Sequence, residues 1–300
     1  MIAMISDTEL QKRIDAAYDL LEVCRVCPRE CGVNRLENDK LGFCRSGLNP
    51  IVSSVSPHYG EEPPLSGDKG SGTVFFTNCN LRCVYCQNYP ISQMGNGEER
   101  TAGELACQML WLQEQGCHNL NLVTPTHFVP QILKALGIAM QRGFDLPIVY
   151  NTSGYESMET LRLLDGIVDI YLADMRYSDK AAAMKYSVAP DYPEINRAAV
   201  REMYGQVGNL VLDKHGIAKQ GLIIRHLVLP GNIAGTEGVM KFLAEEISKD
   251  VAISLMSQYF PAYRAKEIKE INRRITTDEY EKAYRIMLKN GLENGWMQEF

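Results

Sequence analysis

Three cysteines, Cys79, Cys83 and Cys86, fall within eight residues of the segment NCNLRCVYC and are spaced CxxxCxxC. Thiolates are soft ligands that suit zinc or iron-sulfur clusters, and a structural site of either kind is normally closed by four protein ligands. Three ligands leave one iron of a cubane cluster unligated by protein and free to bind another molecule. A second group, Cys24, Cys27, Cys31 and Cys44, has the complete count: CxxC, then CxxxC, then a gap of twelve residues. Four thiolates close a tetrahedral zinc site or carry an auxiliary iron-sulfur cluster, and the spacing does not choose between them. Cys107 and Cys117 stand alone and read as small buried hydrophobes, the common state of a free thiol.

The rest of the composition bounds the function. The chain has 300 residues, 45% of them apolar and 23% charged, a formal net charge of -6 and a pI near 5.5. Its Lys and Arg residues are scattered, so no basic footprint for nucleic acid exists. No apolar run approaches the roughly 20 residues that span a bilayer. The opening MIAMISDTELQKRIDAAYDLL alternates charge with apolar residues and does not read as a signal peptide. A cytoplasmic location is expected, where thiols stay reduced and clustered cysteines serve metals rather than disulfides.

Elements must position these thiols. Ser6 and Glu9 form a capping-box pattern ahead of an apolar stripe at Leu10, Ile14, Ala17, Tyr18 and Leu21, which predicts an N-terminal helix. From Cys24 to about Ser71 the sequence is rich in Gly, Pro, Asn and Asp without sustained period, and reads as irregular. A strand-helix alternation follows. TVFFT leads to the three cysteines and a helix capped by Thr101 and Glu104, ending near Gly116. NLNLVT precedes a helix over about 130–142, and PIVYN one around 157–164. VDIYLADM precedes a longer helical region between Asp179 and Tyr204. LIIRHLVLP is followed by a helix near 238–247, and VAISLM by one from about Asp278 to Lys289 capped by Thr276 and Glu279.

This gives six strand-helix units, which favour a parallel sheet with right-handed crossovers. Six are too few for a closed eight-stranded barrel. The expected fold is α/β, an open partial (βα)6 TIM-like barrel over 72–300, preceded by an N-terminal helix and Cys-rich metal-binding segment over 1–71. A doubly wound sheet is the alternative. The C-terminal NGWMQEF is expected to add an edge strand or cover the barrel. In parallel α/β folds, reactive groups collect at the C-terminal strand ends. The segments there are NCNLRCVYC, TPTHF at Thr124, NTSGY at Asn151, DMRYSD at Asp174, LPGN at Leu229 and SQYFPAY at Ser257.

The CxxxCxxC loop directly after a strand, with aromatic Tyr85 before the last cysteine, resembles the signature of the radical S-adenosylmethionine (SAM) superfamily. The likeness extends over most of Gly72 to Tyr263. Within the superfamily it is similar to the pyruvate formate-lyase activating enzyme-like branch, the activases of glycyl radical enzymes. NTSG at Asn151 matches an Asp-Thr-Asn-Gly-like motif, and Asp174, Arg176 and Asp179 occupy an Asp-x-Lys…Asp pattern. RHLVLPGN from Arg225 looks like a Val-Pro-Gly segment, and LMSQYFPAY resembles the late segment that contacts SAM. The resemblance implies a 4Fe-4S cluster on Cys79, Cys83 and Cys86 with SAM at its open iron. It implies SAM contacts from Tyr85, Thr124, Asn151, Asp174, Arg176, Gln258 and Tyr259. A flavodoxin- or ferredoxin-type electron donor is implied, as is a glycyl radical enzyme as protein substrate; a radical SAM enzyme that modifies a peptide or small metabolite is the alternative, and a non-catalytic iron-sulfur or zinc sensor or scaffold is a third reading. Three departures stand out: TPTH, Thr124 to His127, replaces the Gly-Gly-Glu segment, Arg176 stands where lysine is usual, and Tyr259 where a histidine is usual. A planar guanidinium is not equivalent to an ammonium. His127 at its strand end is a further candidate, as a proton or hydrogen-bond partner.

Overall fold

The helix that the N-terminal stripe predicts is present in the computed structural model as α1 (Asp7–Glu22). The model describes residues 5–37 and 42–298, so residues 1–4, 299–300 and part of the gap between Cys31 and Cys44 lie outside it. Only half of the expected capping box forms. Ser6 Oγ accepts from the Glu9 amide at 3.3 Å, while the Glu9 carboxylate turns to Arg13 at 3.0 Å. The stripe buries Leu10, Ile14 and Ala17 in the main core.

Irregularity was expected through Ser71, yet β1 (Ile51–His58) lies there, antiparallel to β2 (Ser71–Phe76) and paired at its start with β3 (Glu98–Glu99). Its serines and Pro57 hide a strand whose pairing comes from a neighbour rather than from its own pattern. A short helix, α2 (Pro63–Ser66), connects β1 to β2, and α3 (Tyr89–Ser92) follows the three cysteines.

The alternation then runs as predicted through α4 (Ala102–Glu114), β4 (Leu120–Val123), α5 (Val129–Met140), β5 (Ile148–Thr152), α6 (Met158–Arg162) and β6 (Ile170–Asp174). The single helical region expected after Asp179 is two helices, α7 (Lys180–Ser187) and α8 (Tyr192–Val207). Val188 between them takes a left-handed φ of 50°, and Pro190 and Pro193 offer no amide to continue a helix. The short β7 (Val211–Leu212) precedes β8 (Ala218–Leu227), α9 (Thr236–Phe242), β9 (Ala252–Met256), α10 (Thr277–Lys289) and β10 (Gly295–Met297). Thr101 with Glu104 and Thr276 with Glu279 form complete capping boxes. The edge strand expected at the C-terminus is β10, parallel to β9.

The fold is α/β with a mostly parallel central sheet, in the order β10-β9-β8-β6-β5-β4-β2-β1-β3, with β7 paired to β8 off this path. Along the parallel strands each lies beside its predecessor. A doubly wound sheet requires a reversal of order, and none occurs here. Strand alternation sends residues to two faces. Val74, Leu122, Tyr150, Tyr171, Ile224 and Leu255 pack with the helices in the main core. On the opposite, inner face, Val149, Ile170, Leu172, Ile223 and Ala252 pack around Leu65 of α2.

Candidate active site

The strand ends that the sequence singles out converge. The loop after β2 bends through left-handed φ values at Asn78 (69°) and Arg82 (55°), which few non-glycine residues adopt without support. Support comes from all sides. The Asn78 amide donates to Ile91 O and Val84 N to Tyr186 O, and Asn78 Nδ2 donates to Ser46 Oγ at 3.3 Å. Asn80 Nδ2 donates to Tyr155 O at 2.7 Å. Each of the three sulfurs has a polar neighbour: Leu81 N donates to Cys79 Sγ (3.3 Å), Ser187 Oγ donates to Cys83 Sγ (3.0 Å), and Cys86 Sγ lies 3.1 Å from Ser92 Oγ. Burial pushes the Cys79 and Cys86 thiols above their usual range.

Beside Cys86 opens a cleft of about 140 Å3 lined by Tyr85, Gln87, Asp174, Arg176, Arg225 and Gln258, with Leu227 and Met256 as its apolar wall. Four of the predicted SAM contacts thus share one cleft. Asp174 bridges two guanidiniums: Arg176 pairs with Oδ2, and Arg225 Nε donates to Oδ1 at 2.8 Å. Asn151, at the end of β5, accepts from Arg225 Nη2 at 2.6 Å and joins the site through it. Thr124 (φ 59°) donates its amide to Asn151 O at 2.9 Å. Tyr259 lies behind Tyr85, ring centroids 5.9 Å apart, with its hydroxyl donated to Ile271 O. It is fully buried and does not line the cleft.

Other residues brace these loops. Gly154 (φ 71°) sits where an added Cβ would fall on Asn196 Nδ2 and 2.8 Å from Asp174 O, so a side chain there would push the β5 loop off the β6 strand end. Asn196 Nδ2 donates to both Gly154 O and Asp174 O. Glu156 is buried and accepts from Thr126 Oγ1 (2.6 Å), Thr152 Oγ1 and Tyr150 OH (3.1 Å), tying the β4 loop to the β5 loop. Burial pushes its carboxyl up to about 7, against those donors. His127 is not in the cleft. Its Nε2 donates to Thr77 O at 2.9 Å, its ring lies on Phe128, and burial pushes it down to about 3, so it is a neutral brace behind the cysteine loop. Asp179 caps α7 through Ala182 N.

The sequence reading missed Glu61 and Glu62, which the connection from β1 carries to the inner face beside Arg225. No motif marks them. It also misplaced Cys107, which is exposed on α4, whereas Cys117 is buried.

The four N-terminal thiols share one neighbourhood, since Cys24, Cys31 and Cys44 all act on Cys27, whose thiol burial pushes far up. Phe43 N donates to Cys31 Sγ at 3.2 Å, and Gly32 N to Cys24 O. Two arginines dock this segment, one on the cysteine loop and one on the loop after β4. Arg29 donates to Asn80, Ser187 and Val188 carbonyls, and buried Arg35 to those of Gly47 and His127. Among the described residues, no three or more His, Cys, Asp and Glu side chains are gathered so as to hold a metal ion. That geometry concerns a single ion, whereas in a cubane each thiolate binds a different iron. Three hydrogen-bonded soft donors at the edge of a polar cleft fit such a cluster.

Comparison with known proteins agrees. A family model described as the radical SAM superfamily matches residues 73–174, from β2 to the aspartate of the cleft. The chain is 32% identical over 294 residues to the uncharacterized protein MJ0674 of Methanocaldococcus jannaschii, covering 95% of this chain and 80% of that one. A second protein of that organism, the uncharacterized MJ0808, is 24% identical over 271 residues, with 82% and 72% covered. Among solved structures, a radical SAM methyltransferase from Sphaerobacter thermophilus superposes with a TM-score of 0.51 at 15% identity, over 75% of this chain and 65% of that one, a likeness of fold. The matched span holds the cysteine loop and, of the cleft, Tyr85 and the β6 end at Asp174 that leads to Arg176, and the chain carries a radical SAM superfamily domain, a family that implies a 4Fe-4S cluster and SAM.

Proposed function

We propose that this protein is a radical SAM enzyme whose cluster is held by Cys79, Cys83 and Cys86 and whose SAM occupies the adjoining cleft, with an open barrel curving around the substrate. The observation that carries this reading is the cleft itself, which places Cys86, Tyr85 and the Asp174-Arg176-Arg225 system around one opening. When bound, the cluster and SAM supply reductive cleavage to methionine and a 5'-deoxyadenosyl radical, for hydrogen abstraction from substrate. The chain's own part is to bind and orient. The Asp174 carboxylate, held from both sides, and the fork of Arg176 offer fixed partners to a zwitterionic amino acid group and to ribose hydroxyls. Tyr85, Leu227 and Met256 give the cleft its apolar wall, which would shield the reacting centre from water.

The finer reading is an activase of a glycyl radical enzyme, supported by the motifs at Asn151, Asp174 and Arg225, with a flavodoxin- or ferredoxin-type donor. Modification of a peptide or small metabolite is the second reading, favoured by the charged inner face beneath the cleft. A second metal site on the N-terminal thiols, zinc or iron-sulfur, is part of this proposal; it is supported by the effect of Cys24, Cys31 and Cys44 on Cys27, although the thiols are not gathered around a single ion in this structure. The experiment is anaerobic reconstitution with SAM and a strong reductant. The enzyme reading predicts 5'-deoxyadenosine, lost in Cys83→Ala. A candidate glycyl radical enzyme added to the mixture acquires a stable radical if the activase reading holds. Cluster-loaded protein that never cleaves SAM contradicts both.

A further inference from the structure

The inner face of the sheet carries polar groups that the SAM cleft does not use. Glu61 and Glu62 precede α2, whose Leu65 is packed among inner-face residues of β5, β6, β8 and β9. Their backbone is pinned: Leu65 N and Ser66 N donate to Glu62 O, Ser66 Oγ to Glu61 O, and Asn119 Nδ2 to Leu65 O. The Glu61 side chain, 9% exposed, reaches Asn151 Nδ2 at 3.5 Å and Arg225 Nη1 at 3.7 Å, both long contacts. Glu62 is 8% exposed, and its Oε2 has no partner.

Asn121 is the second, independent signal. It is 0% exposed, yet neither its Nδ2 nor its Oδ1 has a partner. Strand alternation puts Asn121 on the same face of the sheet as Asn119, which holds the α2 carbonyl, and as Val123, which is in register with Asn151. It therefore lies between the level of Leu65 and that of Glu61. A buried amide and a buried carboxyl oxygen are normally hydrogen-bonded, and leaving them unpaired is destabilising, so both point to a partner that binds there. The charges are also unbalanced: among the described residues Asp174 pairs with Arg176 and Arg225, and Arg225 is also the arginine beside Glu61 and Glu62, so full ionisation of the three carboxyls leaves one negative charge uncompensated.

We propose that the Glu61-Glu62 pair and Asn121 form the receptor for a cationic group of the substrate, an alkylammonium or guanidinium, held on the inner face beneath the SAM cleft. The proposal rests on the reading of that cleft as the SAM site and names the substrate class. Arg225 lines the cleft and also lies 3.7 Å from Glu61, so a substrate anchored on that carboxyl pair would have its chain next to the cleft. Burial first, and then Glu62, by its charge and a side-chain hydrogen bond, and Asp174 push the Glu61 carboxyl up to about 7 against the pull of Arg225, the cation that the pair shares with Asp174.

The test is calorimetric titration of the anaerobically reconstituted protein, with and without SAM, using cadaverine, the peptide acetyl-Gly-Lys-Gly-amide and neutral 1,5-pentanediol. One or both amines bind and the diol does not; which amine binds separates a free metabolite from a peptide side chain. Glu62→Gln weakens amine binding at least tenfold, whereas Glu194→Gln, which removes an exposed carboxylate paired with Lys180, does not. Asn121→Leu guards against misfolding. It removes an amide that has no partner, so its urea midpoint is no lower than that of the parent while amine binding is lost. The proposal is overturned if neither amine binds better than the diol, if Glu62→Gln binds as well as the parent, or if Asn121→Leu is markedly destabilised. Failure of the SAM reading registers separately, as no spectral response of the cluster to SAM without any amine.

Discussion

At the scale of residues, the site is made as much by braces as by the groups that line it. Glu156 joins Thr126 of one loop to Thr152 of the next, and its carboxyl is pushed up to about 7 by burial. A carboxyl that binds its proton more tightly when folded contributes stability that is fully present below its unfolded value near 4.5 and is lost as pH rises to about 7. The shift corresponds to an effect on the order of 3 kcal/mol. Stability of the parent relative to Glu156→Gln should therefore fall between pH 4.5 and 7 and stay flat above, in urea denaturation at each pH. Glu61 and Asp169, raised in the same direction, remain in both proteins and cancel in that difference. A flat difference across the range contradicts the buried-carboxyl account. None of this was legible in the sequence. A glutamate two residues past a motif carries no mark of burial, and His127, which looked chemical, is a neutral ring bound to Thr77 O.

At the scale of elements, the strand-end loops hold left-handed residues, and the N-terminal segment holds the loops. Arg35 is the clearest case, 1% exposed and bonded to Gly47 O at 2.9 Å and His127 O at 2.7 Å. Arg35→Met leaves both carbonyls without that charged donor and should cost roughly 3 kcal/mol, read as a lower urea midpoint with unchanged slope. A midpoint shift too small to measure would mean that the Cys-rich segment is not anchored through this residue. The alternating strands from β2 onward were legible because buried parallel strands are continuous apolar runs between turn signals. β1 was not, because a strand paired on both sides by backbone bonds needs little periodicity of its own. The break between α7 and α8 was written in Pro190 and Pro193, whose missing amides outweigh the helical pattern around them.

At the scale of the whole molecule, two cysteine groups lie back to back. Asn78, next to Cys79, donates to Ser46, two residues from Cys44, and Arg82 acts on both Cys79 and Cys44. If the four thiols hold their own metal, Cys27→Ser protein purified without oxygen loses that metal while retaining the iron bound through the CxxxCxxC loop, measured as iron, zinc and sulfide per chain. Equal metal content in parent and variant contradicts a second site. The family was legible from one loop, because three cysteines after a strand are a rare combination. The inner face was not, since its receptor is assembled from segments as far apart as Glu62, Asn121 and Arg225. No described helix is long and apolar enough to cross a membrane.

The central claim is that the thiols of the loop hold a cluster with one open iron beside the Asp174-Arg176 cleft. Electron paramagnetic resonance of the anaerobically reduced protein, recorded before and after addition of SAM, tests it most directly. The account predicts a 4Fe-4S signal whose g-values shift when SAM is added, and no such signal in Cys86→Ala. A parent signal that is indifferent to SAM would contradict it.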